Sequence, residues 1–175
     1  MEIWDIYDKN RNKTGKTIIR GKDVLGKGEY HNIVFIAVFN SAGQMLIQQR
    51  QPFKEGWSGY WDVTAAGSAT SGDTSQQAAA RELFEEVGIT ADFSEVLPHF
   101  TIYLDNHFAD FYLHKQDVDI ESLQLGEDEV AQVKWATKQE IFAMMEEGIF
   151  VPIQPGSLEL CFGLIENRST LTVQT

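Results

Sequence analysis

The sequence predicts an α/β fold in which helices cover both sides of a central mixed β-sheet, an α/β/α sandwich. Three observations point there. Short β-branched and aromatic runs recur before, between and after two or three helical segments, clusters of Gly and other turn formers separate them, and neither a repeat nor a long linker interrupts the chain. At 175 residues the chain can bury one sizeable core but not two comfortable ones, so a single domain over residues 1–175 with one active site is expected.

The elements follow in order. Glu2 to Tyr7 alternates as a strand does, and the charged turn formers of Asp8 to Gly15 predict a turn or hairpin after it. Asn32 to Phe39 and Gln44 to Arg50, separated by Asn-Ser-Ala-Gly, form the clearest hairpin. A Gly- and Trp-rich loop from Phe53 to Tyr60 leads to a short strand, Trp61 to Ala66, that delivers Gly67. Next comes the strongest helix. Asp73 is expected to cap it with Gln76 three residues on, Ala78 to Val87 are good helix formers, and Gly88 stands where a left-handed residue ends a helix. Strands are expected at Pro98 to Leu104, Ala109 to His114 and Ala131 to Trp135, and helices at Lys138 to Glu147 and Leu158 to Asn167.

Composition narrows the function. A net charge of -12 repels nucleic acid over most of the surface, because duplex binding rests on neutralising phosphates with Lys and Arg. No apolar run is long enough to span a bilayer, so no membrane role is expected. The start of the chain lacks the basic and apolar regions of a secretory signal, and the single cysteine, Cys161, cannot form an internal disulfide; a cytoplasmic location is expected. Set between Leu160 and Phe162, Cys161 reads as a core thiol, and the four scattered histidines offer no zinc site.

The helix carries the chemistry. At about 100° per residue, Glu82, Glu85 and Glu86 fall on one face, with Ala80, Leu83, Phe84 and Val87 on the other. Like charges three and four residues apart repel by roughly 0.2–0.5 kcal/mol per pair. A divalent cation turns that cost into binding, and hard oxygen ligands favour Mg²⁺ or Mn²⁺. A solvated acidic face is the competing reading. Against it, Arg81 lies four residues before Glu85, where it can orient that carboxylate.

Gly67, five residues, Asp73, seven residues, then Arg81-Glu82-Leu83-Phe84-Glu85-Glu86-Val87-Gly88-Ile89 resembles the Nudix box, with Asp73 in place of the usual Glu. Trp4 to Asp8, the Thr14-Gly15 turn, Tyr30-His31 and the stretch from Glu129-Val130 to Trp135 are similar to the subgroup related to isopentenyl diphosphate isomerase. The resemblance implies a Nudix-type sandwich and a Mg²⁺-dependent hydrolase, with Mn²⁺ as a substitute, cleaving the phosphoanhydride of a small nucleoside diphosphate-linked substrate. It implies metal ligation by Glu82, Glu85, Glu86 and the Gly67 carbonyl, with Glu82 and Glu85 able to share ligand and base duties in either order. Glu129 is the candidate for an extra base or ligand from outside the box, an exposed acidic turn being the equal alternative. Arg50 and Lys54 resemble phosphate-binding positions, with surface salt bridging as the alternative. Asp62 reads equally as a turn residue or a functional one. The isomerase's cysteine and histidine are missing from Trp61 to Ser68, so isomerisation is not expected. A ligand-binding module without turnover is the rival reading; a homodimer is compatible with the sequence.

Overall fold

The computed structural model describes residues 2–166. Alternation along three neighbouring strands explains its layers. In β3 (His31–Phe39), β4 (Met45–Arg50) and β8 (His107–Lys115) successive side chains point to opposite faces of the sheet. On one face Val34, Ile36, Val38, Leu46 and Tyr112 bury beneath Ala78, Ala79, Leu83 and Val87 of α1 (Ser75–Val87). On the other, Ala37, Phe39, Met45, Ile47 and Phe111 bury with Ile141 and Met144 of α2 (Lys138–Glu146) and Leu158, Cys161 and Phe162 of α3 (Pro155–Glu166). Each large side chain so buried contributes roughly 1.5–3 kcal/mol before the entropy of ordering the chain is subtracted. The expected α/β/α sandwich is therefore the observed one.

The sheet runs β5 (Trp61–Asp62), β4, β3, β8, β7 (Phe100–Tyr103), with β6 (Ala65–Ser68) also on β3 and β9 (Val130–Ala136) also on β4. It is mixed because β3 and β8 run parallel from His31↔His107 to Phe39↔Lys115, while the other pairs are antiparallel. The predicted β3–β4 hairpin forms, but the two strands pair only at Phe39↔Met45 and then part. β3 goes on to pair with β6, and β4 with β5 and β9. The strand predicted from Trp61 to Ala66 is broken at Val63-Thr64 for the same reason. The buried Thr64 hydroxyl accepts from the Val38 amide (2.8 Å) and donates to the Leu46 carbonyl (2.5 Å), satisfying backbone groups that the parting strands cannot pair with each other.

The N-terminal strand is the first half of a separate hairpin, β1 (Ile3–Tyr7) with β2 (Lys13–Ile19). Arg11, in its turn at φ 64°, sends a bidentate guanidinium to Asp110 of β8 at 2.7 and 2.6 Å. The fully buried Asp110 also accepts from Thr101 and Ser75, each at 2.6 Å. Burial pushes its carboxyl up, but these hydrogen bonds and the Arg11 charge hold it below the usual carboxylate range. The hairpin is thus tied to the sheet by a partly buried ion pair that sequence periodicity does not announce.

The predicted cap at Asp73 is one residue early. Thr74 caps α1, in a reciprocal box with Gln77, because the Asp73 carboxylate is taken by the Thr70 hydroxyl (2.7 Å) and Arg81 (3.3 Å). Gly88 closes the helix in the left-handed region as expected, its amide donating to the Phe84 carbonyl at 2.9 Å. α3 starts at Pro155, three residues before the expected Leu158, since proline's missing N–H costs nothing in a first turn; the expected end at Asn167 lies outside the described residues. Cys161 is buried, and burial pushes its thiol up to about 12. Among the described residues no helix is long and apolar enough to cross a membrane.

Candidate active site

Where β3 and β4 part, a cleft of about 380 Å³ opens between α1, β6, the end of β4 and the N-terminal hairpin. Each residue expected to hold metal, substrate or a catalytic proton lines it: Gly67 on β6, Arg81, Glu82, Glu85 and Glu86 on α1, Arg50 at the end of β4, Lys54 in the following loop and Glu129 just ahead of β9.

The helix is not divided into one wet and one dry face as expected. Glu86 is 4% exposed and Phe84 is 58% exposed. α1 packs on β3 and also against β6, so its second buried flank carries a carboxylate, not an apolar side chain. Glu86 accepts from the Gln48 side-chain amide and, at 3.3 Å, from the Ala66 backbone amide. Burial, then the neighbouring Glu82 charge, push its carboxyl well above the ordinary range despite those bonds. Glu82 is also raised, by burial first, with Arg81 opposing. Arg81 is the hub: one guanidinium nitrogen reaches Glu82 at 2.8 Å and Glu85 at 3.2 Å, and the other reaches the Ser68 carbonyl at 3.0 Å. The expected Arg81–Glu85 pair is present, and Glu82 shares the same nitrogen.

Gly67 explains why the box begins with glycine. A Cβ there would lie 2.2 Å from Glu82 Cδ and 2.3–2.4 Å from its two oxygens. The missing side chain lets the Glu82 carboxylate lie directly against the β6 backbone.

On the opposite wall the cations are unequally engaged. Lys54 is ion-paired to Glu129, and Arg20 of the N-terminal hairpin is paired to Glu2 at 2.7 Å. Arg50 donates to the Gly56 carbonyl at 3.3 Å and, among the described residues, has no acidic partner within ion-pair distance. Asp62, left open by the sequence, is a cleft residue: burial raises its carboxyl to about 6, against the opposing effects of the Val63 amide and the Arg50 charge. Gln48, Glu2 and Arg20 were missed. Gln48 had a faint signal, since it shares the pleat face of the buried Leu46 two residues earlier; it proves to be 2% exposed. Glu2 and Arg20 had none, because only tertiary docking of the hairpin carries them to the cleft.

The donor set is all oxygen and its carboxylates crowd one another: the buried Glu86 is raised in part by the Glu82 charge, and the partly buried Glu82 in part by the charges of Glu85 and Glu2, a condition a hard divalent cation relieves. Among the described residues no group of three His, Cys, Asp or Glu side chains stands close enough to hold a metal ion. Arg81, bridging Glu82 and Glu85, supplies the counter-charge in this arrangement. The Glu85 side chain is 56% exposed, so it can turn from Arg81 toward the cleft. The chemistry of these oxygen donors suits a hard divalent cation, although as placed they form no metal cluster.

Residues 29–154 match the NUDIX domain model. A Nudix hydrolase of Listeria monocytogenes is 46% identical over 152 residues, 87% of this chain and 89% of that one. An isopentenyl-diphosphate Delta-isomerase of Pectobacterium atrosepticum is 30% identical over 146 residues, 80% of this chain and 79% of that one. A crystal structure from Deinococcus radiodurans superposes with a TM-score of 0.75 at 22% identity, covering 91% of this chain and 99% of that one, which speaks to the fold alone. With the domain matched across most of its length and a relative this similar, the chain belongs to the Nudix hydrolase family, whose members typically act on phosphoanhydride-containing small molecules with divalent metal ions.

Proposed function

We propose that this cleft hydrolyses the diphosphate linkage of a small nucleoside diphosphate-linked substrate, with Mg²⁺ as its cofactor and Mn²⁺ able to replace it. One observation carries the reading: the buried Glu86 and the partly buried Glu82, whose charge raises it, face the same cleft as Arg50, which among the described residues has no acid within ion-pair distance. That combination suits a dication on one wall and phosphate oxygens on the other.

Phosphoanhydride hydrolysis needs water placed in line and charge neutralised on bridging and equatorial oxygens. A divalent cation bound by Glu82, Glu85, Glu86 and the Gly67 carbonyl supplies a more acidic water and a clamp on the diphosphate. The chain's own groups do the rest. Glu86, fixed by Gln48 and Ala66, is the anchoring ligand. Arg81 sets the rotamers of Glu82 and Glu85, one of which accepts the water's proton. Arg50 binds phosphate. Lys54 joins it when substrate draws it from Glu129, which is then free to act as a further base or ligand.

Isomerisation of an isoprenoid diphosphate needs proton donors and acceptors on opposite faces of a carbon skeleton. Around Gly67 the chain offers Ala66 and Ser68, the Thr64 hydroxyl is engaged by backbone, and Cys161 packs in the core on the far side of the sheet. A single experiment separates the readings: a panel of nucleoside diphosphate derivatives and isopentenyl diphosphate in deuterated buffer with Mg²⁺, with and without chelator, for wild type and Glu86→Gln. Chelator-sensitive cleavage that Glu86→Gln abolishes is expected. Tight binding without turnover favours a binding module, and deuterium entering isopentenyl diphosphate favours an isomerase.

A further inference from the structure

Beside the cleft lies a second cavity of about 380 Å³, between the Trp57 loop, strands β3, β7 and β8, and the segment that leads into α3. Phe35 and Val151 line both, so the two adjoin at that wall. Their characters are opposite. The cleft is crowded with charge, whereas among the described residues no Lys, Arg, Asp or Glu lines the second cavity. Phe35 and Phe111 line it as stacked rings with centroids 4.8 Å apart, and Phe100 stacks on Phe111 from behind at 4.4 Å. Trp57, half exposed and at φ 53°, lines it from the loop. His107 and Gln154 line it too, and among the described lining residues one polar atom is left buried without a partner. Ser157, in the first turn of α3, lines the cavity, is 4% exposed, and its Oγ has no hydrogen-bond partner. Buried hydroxyls are nearly always paired, so an unpaired one beside a cavity marks where a partner belongs.

We propose that this cavity is the subsite for the non-phosphate half of the substrate, and that this half is an uncharged, flat ring system with one hydrogen-bonding edge, stacked by Trp57 and read by Ser157. The inference rests on the reading of the adjoining cleft as a diphosphate site. With no Lys or Arg among its described lining residues and the His107 imidazole held toward neutrality by burial, the cavity offers no fixed positive charge to a second phosphorylated end; with no Asp or Glu there it offers no counter-charge to a cationic group. A saturated or prenyl chain fits the apolar walls but leaves Ser157 buried without a partner. Ser157 lies just beyond the stretch matched by the family model, residues 29–154.

Calorimetric binding, which needs no turnover, tests this with probes that separate the two sites. Methylenediphosphonate carries the phosphorus groups without a ring, adenosine and uridine carry the ring without phosphorus, and the α,β-methylene analogues of ADP and UDP carry both. In Mg²⁺ buffer at least one ring-bearing analogue is expected to bind 100-fold or more tightly than methylenediphosphonate. Ser157→Ala and Trp57→Ala should each weaken that analogue about tenfold and leave methylenediphosphonate unchanged. Ring-bearing analogues no tighter than methylenediphosphonate, or unaffected by both variants, overturn the proposal, as does tighter binding of a geranyl methylenediphosphonate. The two readings also fail separately. Adenosine or uridine binding that depends on Ser157, without methylenediphosphonate binding, upholds the ring subsite and refutes the cleft; methylenediphosphonate binding without any ring effect does the reverse.

Discussion

Gly67→Ala isolates positioning from folding. Gly67 does not sit in the left-handed region, so alanine's backbone preferences are met there. The added methyl, however, falls 2.2 Å from Glu82 Cδ, and ordinary contact begins near 3.4 Å, so the carboxylate must retreat by roughly 1 Å. It can do so at small cost, because the obstacle is the far end of a side chain next to an open cleft; stability should change by less than ~1 kcal/mol. Catalysis has no such freedom. A displacement of about 1 Å at a metal-binding carboxylate is expected to lower kcat/KM by about 100-fold, with a matching rise in the Mn²⁺ concentration needed for half-maximal rate. Steady-state hydrolysis against metal concentration, together with urea unfolding, checks both halves. Wild-type turnover would refute the proposed contact between Gly67 and the metal ligands, and a stability loss of several kcal/mol would move the effect from the site to the fold.

Three further outcomes are expected. Arg81→Ala should lose roughly 10–100-fold in metal affinity and activity by freeing the rotamers of Glu82 and Glu85; unchanged Mn²⁺ titration by electron paramagnetic resonance would remove its orienting role. Asp62→Asn should stabilise the protein at pH 7 by up to ~3 kcal/mol, because a carboxyl raised to about 6 costs stability as pH climbs from its unfolded value toward 6; urea unfolding at pH 4 should show almost no gain. Arg11→Met should cost ~3 kcal/mol at neutral pH by stranding the buried Asp110 charge. In wild type Asp110 is depressed, so its contribution is complete above about 4 and fades below, whereas the Arg11→Met penalty should shrink as acid neutralises the stranded carboxylate.

Periodicity made the layers legible, since alternation in β3, β4 and β8 and the helical run of α1 are local properties of the chain. The box made half the cleft legible, because Gly67 to Glu86 are held on one strand–loop–helix unit whose spacing fixes their relation. What escaped was non-local. Glu2 and Arg20 come from a hairpin docked through Arg11 and Asp110, partners 99 residues apart. The cap moved from Asp73 to Thr74 because Arg81, eight residues on, competes for the aspartate. Phe84 and Glu86 exchanged their expected environments because α1 is covered on two flanks, and a helical wheel assumes one.

The parting of β3 and β4 has a mechanical meaning. Two strands joined at Phe39 and Met45 and separated thereafter form a V whose arms carry opposite walls: β6 with Gly67 rides on one, β5 with Asp62 and the end of β4 with Arg50 on the other. The Thr64 hydroxyl is the pin through its apex, bonded to one arm at Val38 and to the other at Leu46. A small change in angle at such a pin becomes a larger change in separation at the open end. The span between the carboxylates and the cations across the cleft is therefore set deep in the core, at a residue with no solvent exposure that does not itself line the cleft.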